Sequence, residues 1–156
     1  MSPSDNAKVL NVTLPKESLI KVSVRSDDLT GIATINSALV DFEPKEVFSW
    51  HFTILVEMDE HGEDGMPSES EEQVLRKFEA EIDPNIRANG NALFLARVIN
   101  DGLYELVYRV YKPEIADDFM QEIITSETNL RPFDYRIDPD QKWEKADWYI
   151  KAVQGN

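Results

Sequence analysis

Hydrophobic and polar residues alternate with a period of two over several stretches of this chain, which is the signature of strands with one buried face. From Leu19, the residues Ile20, Val22 and Val24 alternate with Lys21, Ser23 and Arg25 until Asp27 and Asp28 end the run. Gly31 to Val40 is a second, weaker extended segment, with Ala33, Ile35 and Ser37 on one side and Ile32, Thr34 and Asn36 on the other. The third run is the cleanest: Phe48, Trp50, Phe52, Ile54, Val56 and Met58 form a face to be buried, opposite Val47, Ser49, His51, Thr53, Leu55 and Glu57. Ala92 to Ile99 and Leu103 to Tyr111 flank Asn100-Asp101-Gly102, and Asp-Gly between two such runs signals a hairpin. A two-residue Asp101-Gly102 turn pairs Ile99 with Tyr104, Arg97 with Leu106, Leu95 with Tyr108 and Leu93 with Val110. One face of the hairpin then carries Leu93, Leu95, Ile99, Tyr104, Leu106, Tyr108 and Val110. The other carries Phe94, Ala96, Val98, Glu105, Val107, Arg109 and Tyr111, too apolar for a purely solvated face. The N-terminal strands, a second subunit or a ligand is expected to cover it.

Two segments switch to the helical period. Ser68 followed by Glu71 fits a capping box, acids in the first turn suit the positive end of the helix dipole, and Val74, Leu75, Phe78 and Ile82 recur at helical spacing. Pro84 is expected to end that helix at Asp83. Pro113 suits a first helical position, and Ile115, Phe119 and Ile123 with Ala116, Met120 and Ile124 form its apolar stripe. After Pro132, the residues Phe133, Tyr135 and Ile137 alternate with Asp134, Arg136 and Asp138 as a last strand. Asp138-Pro139-Asp140 reads as an N-cap with Pro at the first helical position, opening a short helix through Trp143 toward Trp148 and Tyr149. The expected architecture is α+β: a single domain over 17–153 behind a loose tail, 1–16, in the order βββ-α-ββ-α-β. Its last part is the split β-α-β arrangement of ferredoxin-like folds, with two extra N-terminal strands, an antiparallel sheet and the helices on one face.

Charge changes the picture in one place. The chain of 156 residues has 30 acids against 16 Lys and Arg, a net charge of −14. Eight of the acids fall between Glu57 and Glu72, where there is no Lys or Arg. Such a surface disfavours direct binding to nucleic acid or to anionic lipid. Cysteine is absent, which excludes disulfides, thiolate metal sites and thiol nucleophiles. No stretch approaches the ~20 apolar residues of a membrane span, and the N-terminus lacks the pattern of a signal peptide, so a cytoplasmic location is expected.

The third strand running into Gly65-Met66-Pro67, the helix behind it, Asp101-Gly102 between two strands, and Asp138-Pro139 with Trp143 shortly after resemble, in that order, the bacterial family called domain of unknown function 695. The resemblance spans about Leu19 to Ile150. Members of that family are sometimes joined on one chain to the regulator of ribonuclease E activity, type B, a small acidic protein, which implies a regulatory or accessory context. The family brings no catalytic residues, so Gly65, Pro67, Asp101, Gly102, Asp138, Pro139 and Trp143 are pattern positions, best explained as residues that shape turns.

The residues offer several candidate chemistries. An EF-hand starting at Glu60 places Asp64, Gly65 and Glu71 suitably but fails at Gly62. Looser cation binding by Asp59, Glu60, His61, Glu63 and Asp64 is open. His51 and His61 lie outside any metal-ligand spacing and are expected at the surface. Asp134 and Asp138 project from one strand face with Arg136 between them, the residue types of a carboxylate pair. Trp143, Trp148 and Tyr149 are expected to lock the C-terminal end onto the core. No nucleophile elbow, phosphate-binding loop or dinucleotide fingerprint is present, and no cofactor or resident metal is expected. The favoured reading is a non-enzymatic binding domain that docks a protein partner through Asp59, Glu60, Glu63 and Asp64, with apolar contact from Phe94, Val98, Val107 and Tyr111 and a homodimer through that sheet face as a further possibility. The alternative is a carboxylate-based hydrolase or cation-dependent enzyme.

Overall fold

The computed structural model describes residues 12–26, 29–126 and 131–155, so most of the expected tail lies outside the described residues. The described chain forms a six-stranded antiparallel sheet: β1 (Leu19–Ser26), β2 (Leu29–Asn36), β3 (Trp50–Glu57), β4 (Ala92–Asn100), β5 (Leu103–Val110) and β6 (Asp134–Pro139), in the spatial order β1-β2-β4-β5-β3-β6. Three α-helices accompany it: α1 (Glu69–Arg87), α2 (Pro113–Ser126) and α3 (Asp147–Gln154). The fold is α+β, and no helix among the described residues is long and apolar enough to cross a membrane.

Two cores lie on opposite faces of the sheet. On the first face, Phe52, Ile54, Val56, Tyr104, Leu106 and Tyr108 pack against Leu75, Phe78, Ile82 and Ile86 of α1 and Ala116 and Met120 of α2. On the second, Ala33, Ile35, Leu93, Leu95, Ala96 and Val107 pack against Leu39, Phe42 and Phe48 from the connection between β2 and β3, and against Trp143, Ala146 and Val153 at the C-terminal end. The cover expected over the second face is therefore supplied by the chain itself, from the 37–48 segment and α3.

Four expectations about the elements are corrected. First, α1 does not stop at Asp83 but runs through Pro84 to Arg87. Burial of Ile82 and Ile86 holds the last turn, and Asp83 accepts hydrogen bonds from Arg87 Nε at 2.9 Å and from the Tyr108 hydroxyl at 2.5 Å. Tertiary contact outweighs the hydrogen bond that proline removes.

Second, the pairing at Asp101-Gly102 holds from Asn100↔Leu103 to Ala96↔Val107, but a bulge between Phe94 and Ala96 then shifts the register to Phe94↔Tyr108 and Leu93↔Arg109. One extra residue exchanges the faces. Phe94 moves into the first core, while Leu93 and Leu95 move into the second. Third, Asp138 and Pro139 are strand residues paired with His51 and Trp50, and the capping role belongs to Asp140. Its carboxylate accepts the backbone N–H of Glu144 at 3.0 Å and of Lys145 at 2.9 Å. Fourth, β2 ends at Asn36, where the chain turns into a short 3₁₀ segment, Ser37–Leu39, capped by the Asn36 side chain.

Candidate functional site

The acidic segment after β3 is folded back on itself. His61 and Pro67 form an isolated antiparallel bridge; Gly62 N–H donates to Met66 O at 2.9 Å, Gly65 N–H to Gly62 O at 3.0 Å, and Met66 N–H to Asp64 Oδ1 at 3.0 Å. At the end of the segment Ser68 caps α1 by accepting from Glu71 N–H at 3.2 Å, as the capping box predicts. The Glu71 side chain does not complete that box. It turns into the protein, accepts from Asp59 N–H at 2.5 Å, and takes two parallel hydrogen bonds from Arg131, at 2.6 and 2.8 Å. Those hydrogen bonds hold the Glu71 carboxyl down at about 2, against the opposing effect of its burial.

The folded loop is clasped to the turn of the β4–β5 hairpin. Gly102 N–H donates to Gly65 O at 2.8 Å, and Met58 N–H donates to Gly102 O at 2.9 Å. Gly65 has φ +86°, and a Cβ there would lie 2.7 Å from Asp101 Cα; Gly102 has φ +73°, and a Cβ there would press on the His61 ring at 3.0 Å. Only glycine fits either position without strain. Four of the pattern positions, Gly65, Pro67, Asp101 and Gly102, thus belong to one structural unit that fixes the acidic loop.

The acidic side chains that this unit carries face solvent. Asp59, Glu60, Glu63 and Asp64 are exposed, and a shallow groove of about 740 Å³ runs along Asp59, Glu60, His61, Asp64, Met66 and Ser68. Asp59 lies 3.5 Å from Arg131, whereas Glu60, Glu63 and Asp64 enter none of the ion pairs of the described residues. Asp64 and Glu60 spend an oxygen each on the Met66 N–H and the Ser68 hydroxyl. No group of three or more His, Asp or Glu among the described residues is arranged to hold a metal ion.

The other pattern positions lie at the opposite end of β3, where Asp138 and Pro139 pair with His51 and Trp50, and Trp143 packs on a buried arginine, Arg109. Arg109 is 0% exposed. It donates to Phe48 O at 3.3 Å, to Asp140 Oδ2 at 2.8 Å and O at 2.6 Å, and to His51 Nδ1 at 3.0 Å, while its guanidinium lies 4.5 Å from the centre of the Trp143 ring. Trp143, with φ +60°, donates its indole N–H to Lys45 O at 2.9 Å and Phe48 O at 3.0 Å. His51 is not a surface residue as expected but 7% exposed, because the chain from Asp140 closes over the polar side of β3. Burial, and then the neighbouring Arg109, lower it from 6.5 to about 4, so it is a neutral acceptor near neutral pH. These groups fasten the C-terminal end; Trp143 is the lock, Tyr149 is half-buried, and Trp148 is 50% exposed.

The apolar half of the expected docking surface is not available. Phe94 is 2% and Val107 0% exposed, in different cores, and Val98 and Tyr111 are half-buried against the second core. The bulge separated Phe94 from the rest, and α3 with the 37–48 segment covered the remainder. Asp134 and Asp138 do share a face, with Arg136 Nε 2.8 Å from Asp138 Oδ2.

Sequence reasoning missed Glu71 as the anchor of the loop, together with Arg131, Arg109 and Asp140. One signal was present: Arg109 interrupts the run Val107, Tyr108, Val110 in the middle of a central strand, where a charge needs a buried partner. Arg131 gave none, since its partner lies 60 residues away. A family model described as a family of unknown function, DUF695, matches residues 21–150. No curated protein and no solved structure matches the chain.

Proposed function

We propose, for a chain that belongs to the family of unknown function DUF695, that the acidic loop is a preformed docking surface for a basic segment of a partner protein. The observation that carries this reading is the clasp of Gly65 and Gly102 between loop and hairpin. Charge that serves only to keep a protein dispersed needs no fixed geometry. Here the acids stand on a backbone held at both ends, so little ordering entropy is lost when a partner binds. Complementary potential then selects and steers a basic surface. The protein so read is a cytoplasmic, regulatory domain rather than an enzyme. The finer fold reading belongs with it: β3 to β6 with α1 and α2 form a ferredoxin-like unit extended by β1 and β2, supported by the order β4-β5-β3-β6 and by the two helices sharing one face.

The test is calorimetric titration with an arginine-rich peptide, alongside affinity capture from host lysate. Affinity is expected to fall steeply between about 50 and 200 mM salt, as for other interactions dominated by exposed charge. Reversal of Asp59, Glu60, Glu63 and Asp64 to Lys is expected to abolish both binding and capture. An unchanged affinity and partner set after reversal would remove the loop from the function.

A further inference from the structure

β6 is an edge strand, with no strand on its outer side among the described residues. Two hydrogen bonds settle which way its backbone groups point. Asp140 N–H donates to Ser49 O at 2.7 Å beside the pair Trp50↔Pro139, and Met58 N–H donates to Gly102 O on the β5 side of β3. Alternation along antiparallel strands then turns the backbone groups of Asp134, Arg136 and Asp138 toward β3 and those of Tyr135 and Ile137 outward. Pro139 takes the next outward position, where the missing N–H costs the ladder nothing. Among the described residues, the donors and acceptors of these two residues are left open along the edge.

Beside them, between β6 and the first half of α2, runs a groove of about 620 Å³ with Trp50, Pro113, Tyr135 and Ile137 as its apolar wall and Glu114 and Asp117 as its acidic one. The Tyr135 hydroxyl fixes that wall by donating to Asp117 Oδ1 at 2.5 Å and accepting from Gln121 Nε2 at 2.5 Å. At the other end of β6, Asp134 lines a depression of about 280 Å³ with Leu55, Glu57, Asp59 and Phe133. The cation of that depression, Arg131, is already engaged by Glu71 and Asp59, and Arg136 at mid-strand is engaged by Asp138.

We propose that the edge of β6 receives an extended, basic segment of a partner protein as a seventh strand, its main chain pairing with Tyr135 and Ile137 and its cationic side chains reaching Glu114 and Asp117 at one end and Asp134, Glu57 and Asp59 at the other. This is strand addition, in which main-chain hydrogen bonds give affinity and the groove beside the edge gives selectivity. Charge identifies the occupant: both ends of the edge present acids, and a second copy of this chain would bring a further net charge of −14 to the same place. The inference rests on the reading that the partner is basic, and names how its backbone is held.

The probe is a labelled peptide of alternating arginine and valine, followed by fluorescence anisotropy and by amide hydrogen exchange of the protein. Saturation is expected to slow exchange at Tyr135 and Ile137. Ile137→Pro, which removes an outward N–H, is expected to weaken binding roughly tenfold, the worth of one unmade backbone hydrogen bond. Glu114→Lys with Asp134→Lys leaves the edge backbone intact and is expected to weaken it as well. Exchange at Tyr135 and Ile137 that does not change on saturation would overturn the proposal even if Ile137→Pro fails to fold. If binding is lost on reversal of Glu60, Glu63 and Asp64 yet unaffected by Ile137→Pro, the edge is wrong and the loop stands; if the peptide protects the edge regardless of those three acids, the loop is wrong and the edge stands. Sedimentation as a dimer, with Tyr135 and Ile137 already protected in the free protein, would assign the edge to a second copy and overturn the proposal.

Discussion

Arg109 brings a permanent charge into the interior, and everything around it answers that charge: Asp140, two backbone carbonyls, the lone pair of neutral His51 and the face of Trp143. Removing one partner of such a pair leaves the other uncompensated, which costs about 3 to 5 kcal/mol. Arg109→Gln is expected to lower stability by that order, read as a shift in the midpoint of urea unfolding, and to loosen the C-terminal end first in hydrogen exchange. His51 adds a pH dependence of known sign. Its folded value of about 4 lies below its ordinary 6.5, so the unfolded chain binds the extra proton between them. The stability this contributes is complete above pH 6.5 and is lost as pH falls toward 4. His51→Asn keeps an acceptor for Arg109 and is expected to flatten the unfolding midpoint over that window. Glu71 acts lower: its depressed carboxyl holds its stabilisation until pH falls from 4.5 toward 2. A midpoint for His51→Asn with the same slope as the parent protein between pH 6.5 and 4 would show that another group titrates there.

At the scale of elements, much was legible and the misses share a cause. The strand periods of β1 and β3, the Asp101-Gly102 turn and the Ser68 cap depend on neighbours in sequence, and each is found where the pattern places it. The bulge at Leu95, the passage of α1 through Pro84 and the burial of His51 depend on partners distant in sequence, which local periodicity does not encode. Leu93, Phe94 and Leu95 are all apolar, so a register slip of one residue leaves no trace in the pattern of hydrophobic positions. The candidate site was legible as composition, in the run of acids, but not as geometry: the clasp depends on Gly65 meeting Asp101 and Gly102 across 35 or more positions. Pro84 carries its own prediction. Its ring is exposed, so Pro84→Ala restores a helical N–H without losing burial and is expected to stabilise the fold by about 1 to 3 kcal/mol, seen as a higher melting temperature. A lower melting temperature would mean that the proline itself serves the packing of Ile86.

Across the whole molecule, polarity is divided by position. The second sheet face, expected to be a contact surface, is closed by α3 and by the 37–48 segment, while acids gather on the clasped loop and along both ends of β6. Net charge alone would make the protein a weak, indifferent binder of cations; on the reading proposed above, charge on a fixed frame makes it selective. These two accounts separate most directly in Gly65→Ala, which retains every acid but places a Cβ 2.7 Å from the Asp101 backbone and so breaks the clasp. The measurement is the affinity of the arginine-rich peptide for this variant at fixed salt, with circular dichroism to show that the sheet persists. A preformed docking surface predicts roughly tenfold weaker binding despite unchanged charge. Affinity equal to that of the parent protein would contradict it and leave the acids as a diffuse field.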